Sequence, residues 1–189
     1  MWLDRLRQRL FGVTRNSRPS RRPTAQPTVE HLEVRNVLST FTAATVGDLI
    51  ADINAANAQG GKNTINLTST TYTLTAVDNT TDGPTGLPVI APGDQLTIDG
   101  NGATITRSAG RFRLLDVAAD ASLTLNDLTL QNGFAFGSGV AAEGGGIFSQ
   151  GKLTLNDVTM TINSAVGASG TAGNPGTDGQ DAAGGAIFA

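Results

Sequence analysis

Leucine alternates with threonine in SLTLNDLTL (residues 122–130) and again, thirty positions later, in KLTLNDVTM (152–160). In the first copy Leu123 and Leu125 share one face, Asn126-Asp127 interrupts the alternation, and Leu128 and Leu130 resume it. The second copy repeats this with Leu153, Leu155, Asn156-Asp157, Val158 and Met160. An earlier, weaker copy is QLTIDGNGATI, with Leu96 and Ile98, an interruption at Asp99–Gly102, then Ala103 and Ile105. A period of two predicts strands with one buried face. Asn, Asp and Gly at each interruption predict a sharp corner, because they tolerate the left-handed backbone. Each copy follows a further short apolar stretch: residues 88–90, 114–117 and 145–148, with a fourth at 184–188. Taking Ile90, Val117, Phe148 and Phe188 as equivalent gives spacings of 27, 31 and 40 residues.

Strands this short cannot bury a face alone, so about three per 27–31 residues predict a coiling parallel sheet whose turns stack on one another. Leu96, Leu123 and Leu153 then form an inward column, and Thr97, Thr124 and Thr154 an outward polar one. An antiparallel sandwich does not require period-matched copies. A propeller blade runs about 40–50 residues with aromatic signatures that are absent here. Before the first strand the period is different. TVGDLIADINAANA (45–58) places Val46, Leu49, Ile50, Ile53 and Ala56 on one helical face. Thr45 with Asp48 approximates a capping box, and Gly60-Gly61 supplies the stop.

Composition narrows the reading. Charged residues are only 15% of the 189, with 24 glycines, one Trp and one Tyr, a profile of short strands and tight turns. The absence of cysteine excludes disulfide frameworks, Cys-ligated zinc and thiol chemistry. Charge is divided: residues 1–40 carry a net +5 and residues 41–189 a net −8. The acidic body has no clustered basic face, so nucleic acid is not an expected partner. No apolar run approaches the roughly 18 residues of a membrane helix, and no transmembrane helix is expected.

Residues 1–40 read as an Arg/Pro-rich export arm, too polar to build a core and expected to be disordered. The opening MWLDRLRQRLFG lacks the apolar region of an ordinary signal peptide. PTVEHLEVRNVLST resembles the planctomycete-type extracellular sorting segment, a basic stretch followed by Leu-Glu-x-Arg-x-x-Leu-Ser. The matching residues are Leu32, Glu33, Arg35, Leu38 and Ser39. That resemblance implies a secreted protein or one displayed at the cell surface or outer membrane. His31, the single histidine, lies in this arm, so histidine catalysis in the body is not available.

GGGIFSQGKLTLNDVTMTINSA (144–165) resembles the polymorphic outer-membrane-protein repeat. FTAATVGDLIADINAANAQGGKNTINL (41–67) resembles the opening of CSLREA-type bacterial surface domains, without the Cys-containing motif itself. Together these similarities cover about residues 41–189. They imply an all-β fold, a right-handed, pectin-lyase-like parallel β-helix with the helix at 45–58 capping one end. The expected role is structural or adhesive, with extracellular glycans or cell-envelope components as partners; the alternative is a secreted polysaccharide lyase or glycoside hydrolase on the same fold. The pattern further leads to an expected strand pair beyond Ala189, so the chain is expected to be a truncated, aggregation-prone part of a longer one.

Candidate chemistry is sparse. GASGTAGNPGTDGQD (167–181) has glycine at every third position but is too short and Pro-poor for collagen, and reads as an inserted loop. Asp178 and Asp181 are a single weak match to calcium-binding Gly/Asp repeats. Polysaccharide lyases and hydrolases on this fold would need clustered Asp, Arg and Lys, for which the candidates are Asp78, Asp82, Asp94, Asp116, Arg107, Arg111 and Arg113. Arg111-Phe112-Arg113 reads as a solvated edge. No motif assembles an acid, a base and a charge stabiliser, so no catalytic, cofactor or metal residue is assigned.

Overall fold

The structure, a computed structural model, describes residues 38–189 apart from 138, 139 and 174. The Arg/Pro-rich arm, His31 and the sorting residues Leu32, Glu33 and Arg35 therefore lie outside the described residues. The described chain is mostly β, with parallel sheets and one helix. Strand β1 (Ser39–Ala43) leads into helix α1 (Val46–Gln59) and strand β2 (Gly61–Leu67). Thr45 caps α1, accepting from the Asp48 amide at 3.1 Å while Asp48 accepts from the Thr45 amide at 3.0 Å. Gly60, at φ 66°, ends it. Leu49, Ile53 and Ala56 of α1 are buried among Ala43, Ile65 and Leu67 of the adjoining strands, the amphipathic face the sequence marks out. Ser39 and Thr40, read as arm, are instead the first residues of β1.

The repeat unit follows. Strands β3 (Thr71–Leu74), β4 (Asp94–Arg107), β5 (Leu115–Val117) and β6 (Ser122–Gln131) precede β7 (Phe134–Phe136), β8 (Ala142–Glu143) and β9 (Ile147–Ser149). The last set is β10 (Lys152–Thr161), β11 (Ser164–Val166), β12 (Ala182–Ala183) and β13 (Ile187–Phe188). The largest sheet runs in the order β1-β2-β4-β6-β10, with β3 also on β4. Smaller sheets pair β11 with β7, β12 with β8, and β13 with β9 and β5. Every one of these strand pairings is parallel.

Register explains the recurrence of nine residues. Leu96 pairs with Leu123 and Leu123 with Leu153; Ile98, Leu125 and Leu155 follow, then Ala103, Leu128 and Val158, then Ile105, Leu130 and Met160. Each leucine of β6 thus has an apolar residue on the strand to either side, and β6 finds ladder partners on both edges. At the interruptions Asn101, Asp127 and Asp157 have φ of 51°, 46° and 54°, the left-handed conformation that short polar side chains tolerate. Tyr72 closes the β2–β3 corner: its buried hydroxyl donates to the Ala43 carbonyl at 2.6 Å and accepts from the amides of Thr68 and Ser69. The Gly-Gly-x-Ile phrases also have a backbone cause. Gly144 and Gly184 sit at φ 62° and 58°, and a side chain on Gly145 would collide with the carbonyls of Ser164 and Gly185.

One equivalence changes. Ile90 does pair with Val117, and Phe148 with Phe188, but Val117 pairs with Ser149 and Phe148 faces Asp116. The aromatic residue is not the core residue of its strand. Ile147, aligned with Leu115 and Ile187, is fully buried in the core instead, while Phe148 stacks on Phe188 at 5.6 Å.

Ile162 is the strained position. It follows β10 as Asn132 follows β6, and both are left-handed, at φ 55° and 61°. Asn accepts that conformation; a β-branched side chain does not. Ile162 is also 72% exposed, so it gains little burial in return. Ile162→Asn is expected to raise stability by about 1 kcal/mol, read as a higher urea midpoint. An unchanged or lower midpoint would contradict the strain.

Candidate functional site

Two concavities among the described residues are lined by several polar groups. The first lies on the outward face of β2, β4, β6 and β10. Because the inward column is leucine, the residues between its members must point out, and the register collects them by type. Thr64, Thr97, Thr124 and Thr154 form one file. Beside it run Lys62, Gln95, Ser122 and Lys152. On the other side Asn66, Asp99, Asn126 and Asn156 are aligned. In that third file Asn126 Nδ2 donates to Asp99 Oδ1 at 2.6 Å and Asn156 Nδ2 to Asn126 Oδ1 at 2.7 Å. Past the corner a further file joins Thr71, Thr104, Thr129 and Thr159.

Rows in such a lattice stand about 4.8 Å apart across the strands and about 6.7 Å apart along them. A shallow groove of about 270 Å³ lies over the first two files, lined by Lys62, Thr64, Gln95, Thr97, Ser122 and Thr124 among others. Its chemistry is that of neutral hydroxyls and amides with one ammonium. Such a surface can exchange hydrogen bonds with a hydroxyl-rich polymer.

The second place is the outer side of β5 and β9. Thr85 bridges to Arg113, with the Arg113 amide donating to the Pro84 carbonyl at 3.0 Å, so the loop after β3 lies across the start of β5. Arg113 is buried, contrary to the solvated edge read from the sequence. Its Nη1 donates to the Asp82 carbonyl at 2.6 Å and its Nη2 to the Glu143 carbonyl at 3.0 Å, and the guanidinium lies 4.9 Å from the Phe148 ring centre. Nε has no partner among the described residues. Asp116 is fully buried, and neither carboxylate oxygen has a hydrogen-bond partner there. Burial first, and then the charge of Asp82, push its carboxyl up to about 6, against a lowering by Arg113. The Asp82 amide also lowers it, without reaching full hydrogen-bond geometry. Burial pulls Arg113 below the usual arginine range, opposed by Asp116, Asp82 and Glu143. A cavity of about 210 Å³ adjoins this cluster, lined by Asp82, Arg111, Arg113, Phe134 and Phe136 among others. Arg111 itself is exposed and sits 4.0 Å from the centre of the Phe136 ring.

The structure thus brings together Asp82, Asp116, Arg111 and Arg113 of the sequence candidates. Asp78, Asp94 and Arg107 stand elsewhere. Asp78 borders a separate concavity with Val46 and Ile50. Asp94 is buried at the start of β4, and its carboxyl is raised by that burial. Arg107 lies between the rings of Phe112 and Phe134 and donates to the Asn132 carbonyl at 2.7 Å. Asp178 and Asp181 are exposed, and no group of three or more metal-ligating side chains occurs among the described residues. Of the sorting residues described, Leu38 is exposed and Ser39 Oγ donates to Gln59 Oε1 at the end of α1. No helix among the described residues is long and apolar enough to cross a membrane.

The sequence missed the Asn/Asp file and the burial of Arg113. Asp116 carried a signal for burial, a single carboxylate inside the apolar run Leu114-Leu115-Asp116-Val117. No family model, curated protein or solved structure matches the chain.

Proposed function

We propose that this chain is a secreted or cell-surface protein of structural or adhesive role, a right-handed parallel β-helix with α1 over one end. It works by presenting an ordered polar face to glycans or other envelope material. One observation carries the reading: Thr64, Thr97, Thr124 and Thr154 stand in one unbroken file beside the Lys62–Lys152 and Asn66–Asn156 files. A face built from repeated hydroxyls and amides makes many weak hydrogen bonds, and a repeating polymer lets them act together. The resemblance of residues 32–39 to a sorting segment supports export. Fusing residues 1–40 to a reporter in a planctomycete host is expected to carry it out of the cytoplasm; a reporter retained inside would refute that part.

The alternative is a polysaccharide lyase or hydrolase using Asp116 with Arg113 and Asp82, favoured by the raised Asp116 carboxyl. Its weakness is access. Asp116 is 0% exposed, and a carboxyl sealed from solvent cannot reach a glycosidic bond.

Co-sedimentation with insoluble polysaccharides and purified cell envelopes tests the adhesive reading. Changing Thr97, Thr124 and Thr154 together to Val keeps shape and β-propensity while deleting the hydroxyls. Retention is expected to fall about tenfold, the effect of losing roughly 1.4 kcal/mol. Unchanged retention, or release of sugar fragments abolished by Asp116→Asn, would overturn it.

A further inference from the structure

None of the residues lining the cavity of about 210 Å³ belongs to β2, β4, β6 or β10, so it is separate from the threonine files. Phe134 and Phe136, alternate residues of β7, are half-buried and share one face of that strand. With Pro84 they give the cavity an apolar wall. At its edge Arg111 is exposed, its guanidinium 4.0 Å from the centre of the Phe136 ring, an arrangement that holds the charge in place. Arg113 lines the same cavity although only 6% of its surface is exposed. Its two hydrogen bonds go to the main-chain carbonyls of Asp82 and Glu143, and Nε has no partner among the described residues. The guanidinium is thus desolvated and hydrogen-bonded to no carboxylate there.

Charge decides what fits. Two guanidiniums against the single carboxylate of Asp82 leave the described lining with positive charge in excess. Asp116 and Glu143 also act on Arg113, but neither lines the cavity, and Asp116 is fully buried. A guanidinium taken out of water attracts an anion more strongly than a hydrated one, and its planar donors match a carboxylate. We propose that this cavity binds a small organic monocarboxylate with an apolar body, the carboxylate against Arg111 and Arg113 and the body against Phe134 and Phe136. The volume lies below the range of about 300–1,000 Å³ usual for larger ligands, so it takes one small unit and not a length of polymer. A free acid and the C-terminal residue of a peptide share this chemistry.

Titration of the full 189-residue protein with sodium benzoate, followed by amide NMR, tests this. The pH is set below about 6, where Asp116 is mainly neutral. Benzoate is expected to shift the amides of Gly83, Arg111 and Ala135 saturably. It is also expected to bind at least about tenfold more tightly than benzamide, its neutral counterpart, the difference that one charge-assisted hydrogen bond makes. Arg111 is exposed, so Arg111→Gln is expected to keep the circular dichroism spectrum and to lose the preference for benzoate. A tripeptide ending in phenylalanine that outcompetes benzoate would assign a peptide terminus, and the reverse order a free acid; either supports the site. Equal binding of benzoate and benzamide would overturn the proposal. So would the absence of saturable shifts at those three amides, or an unchanged benzoate affinity in Arg111→Gln.

Discussion

Leu123→Asp is expected to unfold the protein, and Thr124→Asp, one residue away, to leave it folded. Leu123 lies between Leu96 and Leu153 and is 0% exposed. A carboxylate there has no partner and no water, and removing the leucine opens the column at its middle. The cost is about 4–5 kcal/mol, at the upper end for single substitutions and comparable to the whole stability of many domains. Thr124 lies between Thr97 and Thr154 on the half-exposed outer face, where a carboxylate stays hydrated. There the loss is expected to stay below about 1 kcal/mol. Chemical denaturation of both variants checks the pair. Equal losses would refute the inward and outward alternation.

The second large effect is a pH dependence set by Asp116. Its folded carboxyl titrates at about 6, above the ordinary value of 3.8, so the folded chain holds this proton more tightly than the unfolded chain. The stabilisation is complete below the unfolded value and is lost as pH rises through the folded one. Between about pH 4.5 and about pH 7.5 the loss is about 2 kcal/mol. Asp116→Asn cannot ionise and is expected to abolish this part of the pH profile, and to be the more stable protein near neutrality. Other raised carboxyls, Asp52, Asp78 and Asp94, are common to both proteins and cancel in the comparison. Parallel profiles for wild type and Asp116→Asn would show that Asp116 does not carry the effect.

Much of this architecture is written in the chain because it repeats. Two copies of a leucine-threonine alternation, thirty residues apart, give both the strand period and the partner, and the corners declare themselves by Asn-Asp. Helix α1 is legible for a local reason, its Thr45–Asp48 cap and Gly60 stop. What the sequence hid is non-local. Ser39–Ala43 is a five-residue strand next to an Arg-rich segment, and only its pairing with Asn63–Leu67 makes it part of the sheet. Phe148 looks like a core residue, yet its neighbour Ile147 faces inward, because the register of β9 is set by β5 and not by the bulkiest side chain. Arg113 reads as exposed from its two-arginine context. Its burial comes from the carbonyls of Asp82 and Glu143, about thirty residues away on either side. The outward Thr97–Thr124–Thr154 file could be read from the repeat, but the Asp99–Asn126–Asn156 hydrogen bonds could not, since they depend on side chains meeting across strands.

The central claim is that residues thirty apart stand directly above one another in parallel register. Spin labels on cysteines placed at Thr97 and Thr154 measure it most directly, since the chain has no cysteine of its own. The two positions are separated by one intervening strand through Thr124, a backbone distance of about 10 Å. Strong dipolar broadening is expected in the doubly labelled protein diluted with unlabelled chain. A spectrum equal to the sum of the single labels would place the two residues far apart and contradict the stacked register.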